Sequence, residues 1–158
     1  MKIKRINEID PVKFTGGLSF RMLLESDNMG FSVMKTVIPK GGPYHWHYPE
    51  HLEACYCIKG IGELIDLSSG LKHLITPDVC YVLDKHDNHT FEAKEDVVLI
   101  SIFNPPLVGN ESHNADGHYS SGQYNKHRAW EIVKATKSID SDYDLAEYIE
   151  NFLNGKTA

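Results

Sequence analysis

HWHYPEHLEACYCIKG (45–60) and, shortly after it, TPDVCYVLDKHDNH (76–89) decide how this chain reads. Both set histidines, tyrosines or glutamate, side chains able to bind a metal, inside short runs rich in strand-forming residues. His47, His51 and Glu53 hold odd-numbered positions, so along an extended chain with a side-chain period of two they share one face. Tyr81 and His89 flank the turn-like DKHDN, an arrangement that brings a phenol and an imidazole together from neighbouring strands.

Outward from these segments the same texture continues. Residues 19–25, 31–38, 53–58, 62–66, 72–75, 80–83, 89–93 and 97–103 read as strands, separated by turn signals at 26–30, 41–43, 60–62, 68–70 and 85–88. Many short strands with little helical periodicity predict an all-β jelly roll or small barrel, a shape that binds ligands in its interior. Asn104-Pro105-Pro106 ends the last strand, because proline has no N–H to give a sheet. The glycine-bearing polar stretch 109–125 then reads as a long loop over the barrel mouth. From Ser141 the spacing of Leu145, Ile149, Phe152 and Leu153 predicts a C-terminal helix, with Ser141 and Asp144 near its start and Gly155 as its stop. The expected division is a barrel with its lid loop over 1–125 and a helical extension over 126–158, packed on the same domain.

Composition narrows the function. A chain of 158 residues is long enough to bury a core without staples, and its net charge of -6 disfavours nucleic acid and anionic membrane as partners. The apolar runs fall short of the roughly 20 residues of a membrane span, and MKIKRINEIDP lacks the apolar centre of a secretory signal, so a cytoplasmic setting is expected. Cys55, Cys57 and Cys80 suit a reducing compartment, with buried thiols acting as small apolar side chains.

Gly41, His47, Glu53 and Gly60 stand at the spacing of the first cupin motif, and His89 stands where the second motif ends in its metal-binding histidine. Pro49 replaces the second histidine of the usual pair, so the common three-histidine cupin site is not matched. MGFS (29–32), HYPEHLEACYCIKGIGE (47–63), YVLDKHDNH (81–89) and FNPPLVGNESH (103–113) instead resemble one cupin family, the ectoine synthases. The resemblance implies a cupin jelly-roll barrel and a metal ion, iron(II) in the family with zinc as the competing ion, held by Glu53, Tyr81 and His89. It implies Tyr48, His51, Glu111 and His113 as catalytic groups. Arg21, Thr36, Gly60, Leu83 and Phe103 become substrate contacts, with Arg21 suited to a substrate carboxylate. The implied reaction is the cyclising dehydration of N-γ-acetyl-2,4-diaminobutyrate to ectoine, a small-molecule reaction, and fold analogy implies a homodimer. Gly17 stands where the family usually carries tryptophan, and Met34 where it carries a polar residue. These two departures motivate a second reading, a non-enzymatic cupin that binds a small amino acid or osmolyte. An enzyme acting on another small amide is a third.

Overall fold

The computed structural model describes residues 1–109, 111–113, 117 and 119. The predicted helix from Ser141 to Gly155 lies outside the described residues, as does the loop beyond 119.

Among the described residues ten antiparallel strands form two sheets: β1 (Val12–Phe14), β2 (Gly17–Leu23), β3 (Ser32–Ile38), β4 (Gly41–Trp46), β5 (Leu52–Lys59), β6 (Gly62–Asp66), β7 (Lys72–Ile75), β8 (Cys80–Leu83), β9 (His89–Ala93) and β10 (Val97–Asn104). One sheet has the order β1-β2-β3-β10-β5-β8 and the other β4-β9-β6-β7. The strands alternate as a half-buried sheet requires. In β3, Ser32, Met34, Thr36 and Ile38 point inward, and in β5 Glu53, Cys55 and Cys57 do. The apolar centre is built from Ile38, Cys57, Phe91, Val97 and Leu99, each almost fully buried.

All eight predicted strands are present, and two more were not legible. β1 is only three residues long and pairs only with β2. β4 begins with Gly41-Gly42-Pro43, which reads as a turn. It is nevertheless a strand, because it lies at a sheet edge where proline's missing N–H does no harm, and the pairing with β9 is irregular between Gly41 and Tyr44. The strand read over 19–25 ends at Leu23 and gives way to a 3₁₀ turn at Glu25–Asp27, whose start is closed by the Leu24 amide donating to Asp27 Oδ2 at 3.0 Å.

The two opening segments also fold differently from a simple reading of their spacing. Residues 47–51 form a turn rather than a strand, with the His51 amide on the Tyr48 carbonyl at 3.2 Å, so the period-two face breaks before Glu53. Tyr81 and His89 lie in different sheets. They line one cavity from opposite sheets instead of pairing side by side.

Candidate functional site

The interior of the six-stranded sheet carries a polar row. Met34, Ser101, Cys55 and Tyr81 are successive cross-strand partners over β3, β10, β5 and β8, so their side chains share the inner face. Ser32, Phe103, Glu53 and Leu83 make the adjacent row. Between the rows runs a chain of hydrogen bonds: Thr36 Oγ1 to Ser101 Oγ at 3.0 Å, Ser101 Oγ to Cys55 Sγ at 3.2 Å, and Cys55 Sγ donating to Glu53 Oε1 at 3.2 Å. Cys55 is thus a buried polar link as well as a small core side chain. No cation contacts the Glu53 carboxyl among the described residues, and burial pushes it up to about 7. Burial also raises the Tyr81 phenol well above its ordinary value.

Across the interior, His89 is 1% exposed. Its Nδ1 lies 3.0 Å from the Asp87 carbonyl, which fixes that nitrogen as the donor and leaves the lone pair on Nε2. Nε2 is buried with no hydrogen-bond partner. Burial lowers the imidazole, keeping it neutral. A buried carboxyl without a cation, a buried phenol and an imidazole with an oriented lone pair form a donor set that fits a divalent cation, whose charge would favour the ionised carboxylate and phenolate that burial opposes. Among the described residues no three His, Cys, Asp or Glu side chains form a metal group, so the phenol of Tyr81 is needed for a third donor.

Two cavities meet at Tyr81. The smaller, about 20 Å³, is lined by Thr36, Tyr48, Glu53, Phe103 and Tyr119 among others and has room for about one water molecule. The larger, about 210 Å³, is lined by His89, Leu83, Asp66, Asp87 and His73 as well as Tyr81. The predicted residues therefore divide: Thr36, Tyr48, Glu53 and Phe103 line one space, His89 and Leu83 the other, and Tyr81 both.

The remaining predicted residues cluster where the loop after β10 returns. Tyr48 Oη lies 2.9 Å from His113 Nε2. His51 Nδ1 lies 2.8 Å from the Pro105 carbonyl, and burial lowers its imidazole. Arg21 and Glu111 face each other: Arg21 Nη1 donates to Glu111 Oε2 at 3.0 Å, with both side chains 4% exposed, and Nη2 donates to the Glu111 carbonyl. Glu111 also accepts from the amides of Val108 at 2.6 Å and Gly109 at 2.8 Å, tying the loop down. Gly60 lines neither of these two cavities. Its φ of +89 and the adjacent Asp96 carbonyl, which a Cβ would strike, make it the turn between β5 and β6.

Sequence reasoning missed Phe14, Trp46, Ser101 and Tyr119 as walls. Trp46 was within reach of the pattern, since it precedes Tyr48 by two and shares its inward direction. Tyr119 was not, because only the returning loop brings its ring to 4.9 Å from both Tyr48 and His113. Phe14 accounts for Gly17. A Cβ on Gly17 would strike the Val37 carbonyl and come within 2.8 Å of the Phe14 ring, so that ring takes the space a side chain would need. It meets Trp46 edge-on at 5.6 Å and His113 at 5.2 Å, supplying from β1 an aromatic wall that position 17 lacks.

The ectoine synthase family profile matches residues 1–123. The chain belongs to the ectoine synthase family. An L-ectoine synthase from Marinomonas sp. (strain MWYL1) is 50% identical over 101 residues, covering 64% of this chain and 78% of that protein. The crystal structure of ectoine synthase from P. lautus superposes with a TM-score of 0.66 at 38% identity, over 69% of this chain and 81% of that one. An RmlC-like cupin from Shewanella frigidimarina NCIMB 400, at 17% identity and a TM-score of 0.55 over 66% and 91% of the two chains, shows the cupin fold alone. The ectoine synthases are metal-dependent cupins and hydro-lyases, and this chain is an enzyme of that class acting on a small molecule. Among the described residues no helix is long and apolar enough to cross a membrane.

Proposed function

We propose that this chain closes N-γ-acetyl-2,4-diaminobutyrate to ectoine with loss of water, with iron(II) held by Glu53, Tyr81 and His89. The observation that carries the metal assignment is the partnerless, buried Nε2 of His89 facing a sheet that offers a buried carboxyl and phenol. A cation held by these three residues would supply Lewis-acid polarisation of the acetamide carbonyl. Two oxygen donors and one nitrogen suit iron(II), with zinc as the alternative.

Ring closure joins the α-amine nitrogen to the acetamide carbon and expels the amide oxygen as water, so two protons leave the nitrogen and two arrive on the oxygen. The pair of Tyr48 and His113, joined at 2.9 Å, can carry a proton between hydroxyl and imidazole at the wall of the Glu53 cavity. His51, kept neutral by burial, is a base beside it. Thr36, held by Ser101, orients the polar end of the substrate, and Phe103 and Phe14 supply apolar walls that keep water from the amide.

The remaining expectations belong to this reading. An acidic surface fits a cytoplasmic enzyme. Leu52, Tyr56, Ile58 and Ile102, exposed on the outer face of neighbouring strands β5 and β10, support a two-fold dimer.

Purified chain incubated with ferrous iron and the acetylated diamine, followed by mass spectrometry, tests the assignment. Ectoine is expected from the wild type, while Glu53→Ala and His89→Ala should lose both bound metal and product. No ectoine from metal-loaded wild type would overturn it.

A further inference from the structure

The two cavities that share Tyr81 differ in chemistry, and the difference gives them different tasks. The smaller is walled by the rings of Phe14, Trp46, Tyr48, Phe103 and Tyr119, and the guanidinium of Arg21 lies over the Tyr119 ring at 5.8 Å. Arg21 is neutralised by Glu111, but the space is largely aromatic and has room for only about one water beside Glu53, so it is a poor path for a hydrated dication. The larger cavity lies where the two sheets part. Among the described residues β7 pairs only with β6 and β8 only with β5, and no strand pairing closes the gap between these two edges. Its walls run from exposed His73 to His89, which is fully buried and carries the unpartnered Nε2. Asp66 is the cross-strand partner of His89 and so projects on the same face; Asp87 supplies the carbonyl that holds the His89 ring. Both aspartates line the passage, with the Asp66 carboxylate held by the Ser68 and Ser69 hydroxyls and that of Asp87 by the Lys85 amide, and at about 210 Å³ it accommodates a cation with several waters.

We propose that this opening between β7 and β8 is the route by which the metal enters and leaves, with Asp66, Asp87 and His73 guiding the hydrated cation to His89 and Tyr81. The inference rests on Glu53, Tyr81 and His89 being the metal site. Among the described residues the passage itself contains no complete ligand group, which suits transit rather than storage. The substrate keeps the other side, where Tyr48, Thr36 and Phe103 stand.

The Trp46 ring lies 6.1 Å from His89 and gives a direct readout, because cobalt(II) arriving there quenches its fluorescence. Stopped-flow uptake of cobalt(II) by the metal-free full chain, and its removal by excess chelator, would be compared for wild type, His73→Lys and His73→Glu. A lysine at the mouth should slow both uptake and removal by a common factor, severalfold and up to about tenfold at low salt, and glutamate should speed both. Equilibrium affinity and turnover of the loaded enzyme should not change. Ser112→Lys, at an exposed position next to Glu111 on the Arg21 side, should leave the rates alone. Unchanged rates in both His73 variants, or slowing by Ser112→Lys instead, would overturn the route while the metal site stands. A raised KM in His73→Lys would assign the opening to substrate and also overturn it. Failure of wild type to bind one cobalt per chain would sink the metal site, and the route with it.

Discussion

Tyr48 and His113 are 65 residues apart in sequence and 2.9 Å apart in space, and their contact joins the end of β4 to the loop that returns from β10. The Tyr48 ring also packs edge-on against Phe103 at 4.9 Å, so the hydroxyl is aimed rather than free to swing. Burial raises its phenol well above the ordinary value, so Tyr48 stays protonated beside the His113 ring.

Tyr48→Phe keeps the ring and removes only that hydroxyl. The expected loss is about a hundredfold or more in kcat, at a stability cost of about 1 kcal/mol. Steady-state kinetics with thermal unfolding checks it, and a double variant with His113→Ala should lose little further, since the two act as one unit. Additive losses would show that they work separately.

Glu53 makes the metal-free protein sensitive to pH. Its folded value, about 7, lies above the ordinary 4.5, so its contribution to stability is fully present below pH 4.5 and is lost as pH rises to about 7. Metal-free wild type should therefore melt at lower temperature at pH 7.5 than at pH 5, by more than Glu53→Gln does. Added metal should restore most of the loss, because the cation compensates the carboxylate. Parallel pH slopes for wild type and Glu53→Gln would contradict this.

Arg21 and Glu111 form a buried ion pair that also anchors the Val108 and Gly109 amides. Removing one partner leaves a buried charge alone. Arg21→Ala or Glu111→Ala should cost about 3–5 kcal/mol in denaturant unfolding and lower activity through the displaced His113. The double replacement Arg21→Met with Glu111→Leu should cost less than either single change. If it costs their sum, the pair is not acting as a coupled unit.

Gly17→Ala introduces a Cβ against the Val37 carbonyl and the Phe14 ring. Backbone on one side cannot move cheaply, so a loss of about 1–3 kcal/mol is expected, seen as a lower melting temperature. Combining it with Phe14→Ala should not restore stability, since the carbonyl clash remains and the wall is gone.

Much of the fold was readable because strand texture is local. The alternation of β3, β5 and β10 and the glycine turns between strands mark an all-β jelly roll without any long-range information. β1 and β4 escaped because they are edges: a strand held mainly by one neighbour can be as short as VKF or begin with GGP and still pair. The candidate ligands were legible as residue types inside strands, but the face shared by His47, His51 and Glu53 was not, since the turn over 47–51 resets the period.

By itself the sequence determined the jelly-roll class, the candidate ligands as residue types and membership of the ectoine synthase family, all consequences of local pattern and motif. Only the tertiary structure decided which of these side chains meet. Closing two sheets face to face sets His89 opposite Tyr81, turns Arg21 onto Glu111, lays Phe14 over Gly17 and leaves an opening between β7 and β8. Such contacts depend on strand order and loop return, which burial of the shared core selects and which no short window of residues records.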